Sequence, residues 1–307
     1  DLSKTELLGL LDLATDLKKQ LLTKPRIDSA PGTVAALIFE KPSLRTRVTF
    51  EVAMRNLGGS AVYLGPSDIG MGKRETVEDI AKNLSRWVDC IIARVFAHQT
   101  IVELAQYATV PVVNALCDLE HPCQILADLL TVKDHRGSVE GATIAWTGDG
   151  NNVCNSLMLA CTLVGAHLRV ATPRGFEPPA AVTAKSKEYA AQSGAVLTLT
   201  HDPLEAARGA DFLYTDVWAS MGQEGEAAQR ASIFRPFQLN KALLDVAASG
   251  AKILHCLPAH RGEEISAEVL DGPNSVVLDQ AENRLHAQRA LLHRLLGKAS
   301  QPKGGKK

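Results

Sequence analysis

Apolar residues recur along this chain in two alternating rhythms. The segment LSKTELLGLLDLATDLKKQLL places leucines at helical spacing, and Ser3 followed by Glu6 forms a capping box at its start, so it is read as an amphipathic helix. Short apolar runs follow at TVAALIF, AVYL, CIIARVF and VPVVNAL, separated by helical stretches such as ETVEDIAKNLSRW and TIVELAQYA. HPCQILADLLTVKDHRG continues as a helix to a glycine stop. A second series begins at GATIAWTGDG and runs through HLRVATP, VLTLT, DFLYTDVW, AKILHCLP and SVVLDQ, with helices such as LEAARGA and ISAEVL between them. Short apolar strands alternating with helices predict parallel sheets covered on both faces. The fold class is α/β: two domains, each a mostly parallel sheet with helices on both faces.

The polar stretch DHRGSVEG, residues 134–141, marks the expected boundary. It gives one domain over 1–135 and a second over 136–281. Residues 282–307 then hold a helix, within AENRLHAQRALLHRLLG, that returns to the first domain, and a tail, KASQPKGGKK, expected to be disordered. No repeat of solenoid period is present.

At 307 residues and 46% hydrophobic, the chain can bury a substantial core. Its 33 basic and 34 acidic residues leave a net charge of −1, which argues against a nucleic-acid surface. No apolar run reaches about 18 residues, so no transmembrane helix and no membrane partner are expected. None of the cysteines 90, 117, 123, 154, 161 and 256 forms a C-x-x-C pair. They read as small buried hydrophobes in a reducing compartment, with a cytoplasmic location expected. The chain starts at Asp1 without a signal-like stretch; a transit peptide removed upstream, with an organelle matrix as destination, stays open.

In open α/β sheets, function collects past the carboxyl ends of the strands. That rule selects KPSLRTR, ARVF, DLEHPCQ, TGDGNN with TDVWASMGQE, and HCLPAHRG. In the first, Ser43, Arg45, Thr46 and Arg47 stand where a loop becomes a helix. Cations are ordinarily placed at helix C-termini, because the N-terminus already carries the positive end of the dipole. Hydroxyls, guanidinium forks and free N–H groups together make a phosphate or carboxylate site; the plainer reading is a cap beside two solvated arginines.

Arg94 ends an apolar strand, as a structural ion pair or as a second cation facing the same pocket. His121 and Gln124 open a helix on one face, either as capping residues or as groups that polarise a carbonyl and orient an amide. TGDGNN follows a strand, yet Val153 occupies the third glycine position of a dinucleotide fingerprint and no acid ends the next strand, so nucleotide binding is not expected. Asn151 and Asn152 offer amides to a small polar ligand instead. Asp216, Ser220 and Met221 form a surface turn or a cradle for an α-amino acid, the carboxylate taking an ammonium and the serine a carboxylate. Cys256 has His255 beside it, but neighbours on a strand point to opposite faces, so a thiol–imidazole nucleophile is disfavoured. His255 and His260 lack H-E-x-x-H spacing, and no metal is expected.

Taken together, FEKPSLRTRVTFE, MGKRETVEDIAKNLSR, ARVF, HPCQILAD, GDGNN, DVWASMGQE, HCLPAHRGEEI and AENR resemble the transcarbamylase family, and within it the ornithine-using branch, in the family's order and over nearly the whole chain. The resemblance implies a carbamoyl phosphate domain followed by an ornithine domain. It also implies a homotrimer with sites shared between neighbouring subunits, and transfer of a carbamoyl group to the δ-amine of ornithine, giving citrulline, as in arginine biosynthesis. By the same resemblance, Ser43, Leu44, Arg45 and Thr46 cradle the phosphate, and Arg94, His121 and Gln124 hold the carbamoyl group. Asn152, Asp216, Ser220 and Met221 match the amino-acid set, and Cys256, Leu257 and Arg284 the remaining contacts. Arg94, His121, Cys256 and Asp216 are the catalytic candidates, with no metal and no organic cofactor. Leu44 departs from the family's usual threonine, so a side-chain hydroxyl is lost while the backbone N–H stays; a modest change in phosphate affinity is expected. Aspartate, putrescine and acetylornithine acceptors would share the phosphate half, and a non-catalytic relative would share the fold.

Overall fold

The computed structural model describes residues 2–24, 26–72, 74–219, 225 and 227–297. The tail 298–307 and the candidates Ser220 and Met221 lie outside the described residues. The described residues divide into two compact units, one formed by 8–126 with 284–297, the other by 2–7 with 127–283.

The first unit is built on β1 (Val34–Phe39), β2 (Ser60–Leu64), β3 (Cys90–Arg94) and β4 (Val112–Leu116), all parallel, in the order β2-β1-β3-β4. Side chains alternate across β1. Ala35, Leu37 and Phe39 pack with Phe50, Ala53 and Met54 of the helix Leu44–Asn56 and with Leu292 and Leu296 of the helix Val277–Leu296. Ala36 and Ile38 face the opposite core, with Ile80 and Leu84 of the helix Val77–Leu84 and Leu104 of the helix His98–Tyr107. Both faces of the central strands β1 and β3 are therefore dry, which is why those two read as continuous apolar runs, while the edge strand β2 stays part-exposed.

The second unit carries β5 (Thr143–Thr147), β6 (His167–Ala171), β7 (Leu197–Thr200), β8 (Phe212–Thr215) and β9 (Lys252–His255), again parallel, in the order β7-β6-β5-β8-β9. In each sheet the strand order reverses at one place: between β1 and β3 in the first, between β5 and β8 in the second. At such a switch point the loops leave in opposite directions and open a crevice past the strand ends. Phe39 is in register with Arg94 across the first of these, so the KPSLRTR loop and Arg94 emerge side by side.

The predicted capping box is present, with Ser3 N–H donating to Glu6 Oε2 at 2.9 Å and Glu6 N–H to Ser3 Oγ at 3.3 Å. One predicted strand is corrected. SVVLDQ, residues 275–280, makes a single bridge from Ser275 to Ile253 and then turns into the helix Val277–Leu296, whose first contact is the Gln280 N–H to Val276 O bond at 2.9 Å. Its valines are buried on a helix face, and a short apolar run cannot by itself distinguish the two states.

Candidate active site

The residues of the first unit converge around the start of the helix Leu44–Asn56. Ser43 caps it in an extended conformation, makes no side-chain cap hydrogen bond, and is followed by a first turn without an acid. The initial N–H groups of a helix have no partner within it, so this end presents donors and the positive end of the dipole. Thr46, buried, points its hydroxyl inward, where Arg284 Nη2 donates to it at 3.2 Å and Arg94 Nη1 approaches at 3.5 Å. Arg284 Nη1 donates to Gln124 Oε1, which fixes the orientation of that amide. With the Gln288 amide turned to satisfy its neighbours, its oxygen accepts from Arg284 at 3.0 and 3.2 Å while its nitrogen donates to Thr49 at 2.6 Å. Among the described residues Arg45 makes no ion pair.

His121 lies at the centre of this set. Burial, and then the charges of Arg284, Arg94 and Arg45, hold its imidazole well below its ordinary 6.5. It is therefore neutral at physiological pH, and three guanidiniums bear on one uncharged ring. Such a group can hydrogen-bond a carbonyl without repelling the cations that hold an anion beside it. The ring signal of His121 should accordingly stay at the neutral-imidazole position as pH falls from neutrality through 6.5. Histidine NMR of a selectively labelled sample checks this, and an ordinary midpoint at 6.5 would contradict it.

The second arginine of the motif is placed differently. Arg47 Nε donates to Glu51 Oε1 at 2.9 Å, one helical turn on, and its guanidinium stacks 3.8 Å from the centre of the Tyr63 ring. It ties the helix to β2, and the arginine of this pair that bears on His121 is Arg45. Leu44, at 75% exposed, offers the site only its backbone.

In the second unit the switch point gathers another set. Asn151 caps the helix Asn152–Val164, its Oδ1 accepting from Val153 and Cys154 N–H at 3.0 and 3.1 Å. Its Nδ2 donates to Asp216 Oδ2 at 2.9 Å, and the Cys256 thiol donates to Asp216 Oδ1, also at 2.9 Å. Asn151, at the cap of the helix that Asn152 begins, and Cys256 are thereby joined through one buried carboxylate, that of Asp216. Leu257 follows in the left-handed region at φ 59°, a sparsely populated conformation for a leucine. The glycines of TGDGNN have local reasons: Gly148 sits at φ 134°, and a Cβ on Gly150 would meet Pro178 N at 2.5 Å.

Both ring nitrogens of His255 have partners other than the thiol. Its Nδ1 accepts the Leu257 N–H at 2.9 Å, and Nε2 lies 3.2 Å from Glu264 Oε1. Donor atoms of Asp216, His255 and Cys256 fall within 4.8 Å of one another, yet both ring nitrogens are engaged, which leaves a thiol and a carboxylate already bonded to each other.

Sequence reasoning missed Asp149 and Arg230. They form a buried ion pair, and Arg230 Nε also donates to Trp218 O while its guanidinium lies 4.9 Å from the Phe176 and Phe234 rings. Burial pushes the Asp149 carboxyl up to about 6; Arg230 opposes that and the Asp216 charge adds to it. The available signal was an arginine within the otherwise small and apolar face of AAQRASIF.

Comparison with known proteins gives the same two-part division of chemistry. Residues 1–134 match the carbamoyl-P binding domain model of aspartate/ornithine carbamoyltransferase, and residues 140–295 match its Asp/Orn binding domain model. An ornithine carbamoyltransferase of Anoxybacillus flavithermus is 51% identical, over 96% of this chain and 94% of its own. An anabolic ornithine carbamoyltransferase of Pyrococcus furiosus is 54% identical, over 87% of this chain and 84% of its own. The solved structure of ornithine carbamoyltransferase from Pyrococcus furiosus superposes with a TM-score of 0.93 at 50% identity, covering 96% of this chain and 94% of that one. This chain belongs to the aspartate/ornithine carbamoyltransferase family.

Proposed function

We propose that the protein transfers the carbamoyl group of carbamoyl phosphate to the δ-amine of L-ornithine, giving L-citrulline and phosphate. The observation that carries the donor half is a neutral His121 ringed by Arg45, Arg94 and Arg284 at a helix N-terminus. Support for ornithine as acceptor is that relatives matching about half of the residues over most of both chains are named ornithine carbamoyltransferases.

The chemistry follows from charge. Carbamoyl phosphate brings a phosphate dianion as leaving group. The N–H groups of Ser43, Leu44, Arg45 and Thr46, with the Ser43 and Thr46 hydroxyls and the Arg45 guanidinium, hold it and stabilise the charge that builds as the C–O bond breaks. Arg94 and His121 polarise the carbamoyl oxygen, Gln124 orients the carbamoyl NH2, and Arg284 holds Gln124 and Thr46 in place. The acceptor amine, with an ordinary pKa near ~10.4, loses a proton before it attacks. Asn152, Asp216, Ser220 and Met221 bind the amino acid, Asp216 taking its α-ammonium. Cys256 and Leu257 close the set beside it. Attack forms the C–N bond and gives a tetrahedral intermediate, which collapses as the C–O bond breaks and a second amine proton passes to the departing phosphate; neither a metal nor an organic cofactor enters the step.

The first domain, 1–135 with the returning helix in 282–307, takes carbamoyl phosphate, and 136–281 takes ornithine. A homotrimer, a cytoplasmic location and no nucleic-acid partner complete the reading; among the described residues no helix is long and apolar enough to cross a membrane. The anabolic name of one relative favours the biosynthetic direction. A colorimetric citrulline assay, run in parallel with acetylornithine, putrescine and aspartate as acceptors and their carbamoyl products followed, tests it. Turnover with ornithine far above the other three is expected. No citrulline from ornithine and carbamoyl phosphate would make the protein a non-catalytic binding module.

A further inference from the structure

The loop leaving β9 carries more than Cys256 and Leu257. Between His260 and Ile265 it turns back on itself: the Glu263 N–H donates to His260 O at 3.0 Å and the Gly262 N–H to Ile265 O at 2.9 Å. The Gln238 amide holds the Gly262 and Glu263 carbonyls at 3.1 and 2.7 Å. This turn gathers His260, Glu263 and Glu264, whose donor atoms lie within 4.8 Å of one another. His260 Nδ1 stands 3.6 Å from Glu264 Oε2 and 3.9 Å from Glu263 Oε2.

Glu264 is the informative member, because its side chain is 0% exposed. Oε1 accepts from His255 Nε2 and from the His260 N–H. Oε2 has no hydrogen-bond partner among the described residues and faces His260. A buried carboxylate oxygen that accepts no hydrogen bond is costly in water-excluded surroundings, His260 Nδ1 at 3.6 Å stands beyond hydrogen-bond reach, and a cation between the two satisfies both. The adjacent arginine does not supply one, since Arg261 is turned to Asp271 in a two-pronged bond of 2.8 and 2.7 Å.

We propose that His260 Nδ1, Glu263 Oε2 and Glu264 Oε2 form a binding site for a divalent transition-metal ion, with Zn2+ as the best match. One imidazole nitrogen and two carboxylate oxygens suit zinc and its neighbours better than magnesium or calcium, which take oxygen alone. Donors about 2.1 Å from a tetrahedral zinc stand about 3.4 Å apart. The observed 3.6 and 3.9 Å separations close by small rotations of His260 and Glu263, which are more than half exposed, onto a Glu264 that its other oxygen keeps fixed. The fourth position is left for water. Because Glu264 Oε1 still holds His255 and the His260 backbone, the ion pins the loop that starts at Cys256 while using no sulfur.

The test uses the full chain, stripped with a chelator and then titrated with Zn2+ by calorimetry and with Co2+ by visible absorption. One saturable Zn2+ per chain is expected. His260→Ala and Glu263→Gln, both at exposed side chains, should each weaken binding about tenfold or more. The Co2+ spectrum should show ligand-field bands without the sulfur-to-metal charge-transfer band that Cys256 ligation adds. No saturable binding, unchanged affinity in both variants, or a sulfur band would each overturn the assignment.

Discussion

Arg45→Ala is expected to lower kcat/KM for carbamoyl phosphate by about 10²–10³-fold, roughly 2.7–4 kcal/mol of transition-state stabilisation, the scale seen when one preorganised donor is removed from a developing oxyanion. Arg45 is the guanidinium of the first turn that bears on His121 and makes no ion pair among the described residues. A helix N-terminus alone contributes only about 0.3–1 kcal/mol towards an anion, so the backbone N–H groups cannot replace it. The loss should fall on the substrate and not on the fold. Thr46 is held by Arg284 and Arg94, Gln124 by Arg284, and none of these bonds involves Arg45. Thermal unfolding should therefore be nearly unchanged. Arg45→Lys should recover only part of the activity, because an ammonium lacks the planar fork that matches phosphate oxygens. Steady-state kinetics at saturating ornithine decide the point, and a loss below about fivefold would remove Arg45 from the phosphate cradle.

The contrast between Arg45 and Arg47 shows how far such a site is legible before a structure is seen. In sequence the two are equivalent members of one motif. On a helix of 3.6 residues per turn, positions two apart point about 200° away from each other, so one can face a crevice only if the other faces elsewhere. Arg47 meets Glu51 and Tyr63 for that reason, and the helical period alone would have separated the pair. Arg284 illustrates the opposite case. It reaches Gln124 across 160 residues, and no local pattern announces that meeting; only the family resemblance brought it into the candidate set. Asp149 and Arg230, 81 residues apart, had no such aid and were missed.

The strands were legible for a simple reason. Parallel strands in the middle of a sheet are buried on both faces and carry continuous apolar runs, the edge strands β2 and β7 are part-exposed, and all nine described strands stand where the runs predict them. SVVLDQ failed because the same signal also describes the buried start of a helix. Resolving it needs the longer periodicity of the residues that follow, which here run on through AENRLHAQRALL.

The largest effect expected in the second unit comes from Asp216→Asn. Asp216 is buried and accepts from two directions, the Asn151 amide at Oδ2 and the Cys256 thiol at Oδ1. Asparagine keeps the shape but offers one acceptor in place of two. If its oxygen stays with Asn151, its NH2 meets the sulfur, and the thiol must turn its proton elsewhere. The negative charge proposed to hold the α-ammonium of ornithine is lost in either orientation. Removing one partner of a desolvated charge pair costs about 2–5 kcal/mol, so KM for ornithine should rise at least about 30-fold, with kcat falling as the amine is held less well. Binding of carbamoyl phosphate alone, whose proposed contacts do not include Asp216, should be unaffected; that separates a lost acceptor site from a damaged fold. An internal check is available at Asp149, which burial holds at about 6 with a further upward push from the Asp216 charge. Without that charge Asp149 should titrate lower, a shift readable by carboxyl NMR. A KM for ornithine within about threefold of the parent protein would show that another group takes the ammonium.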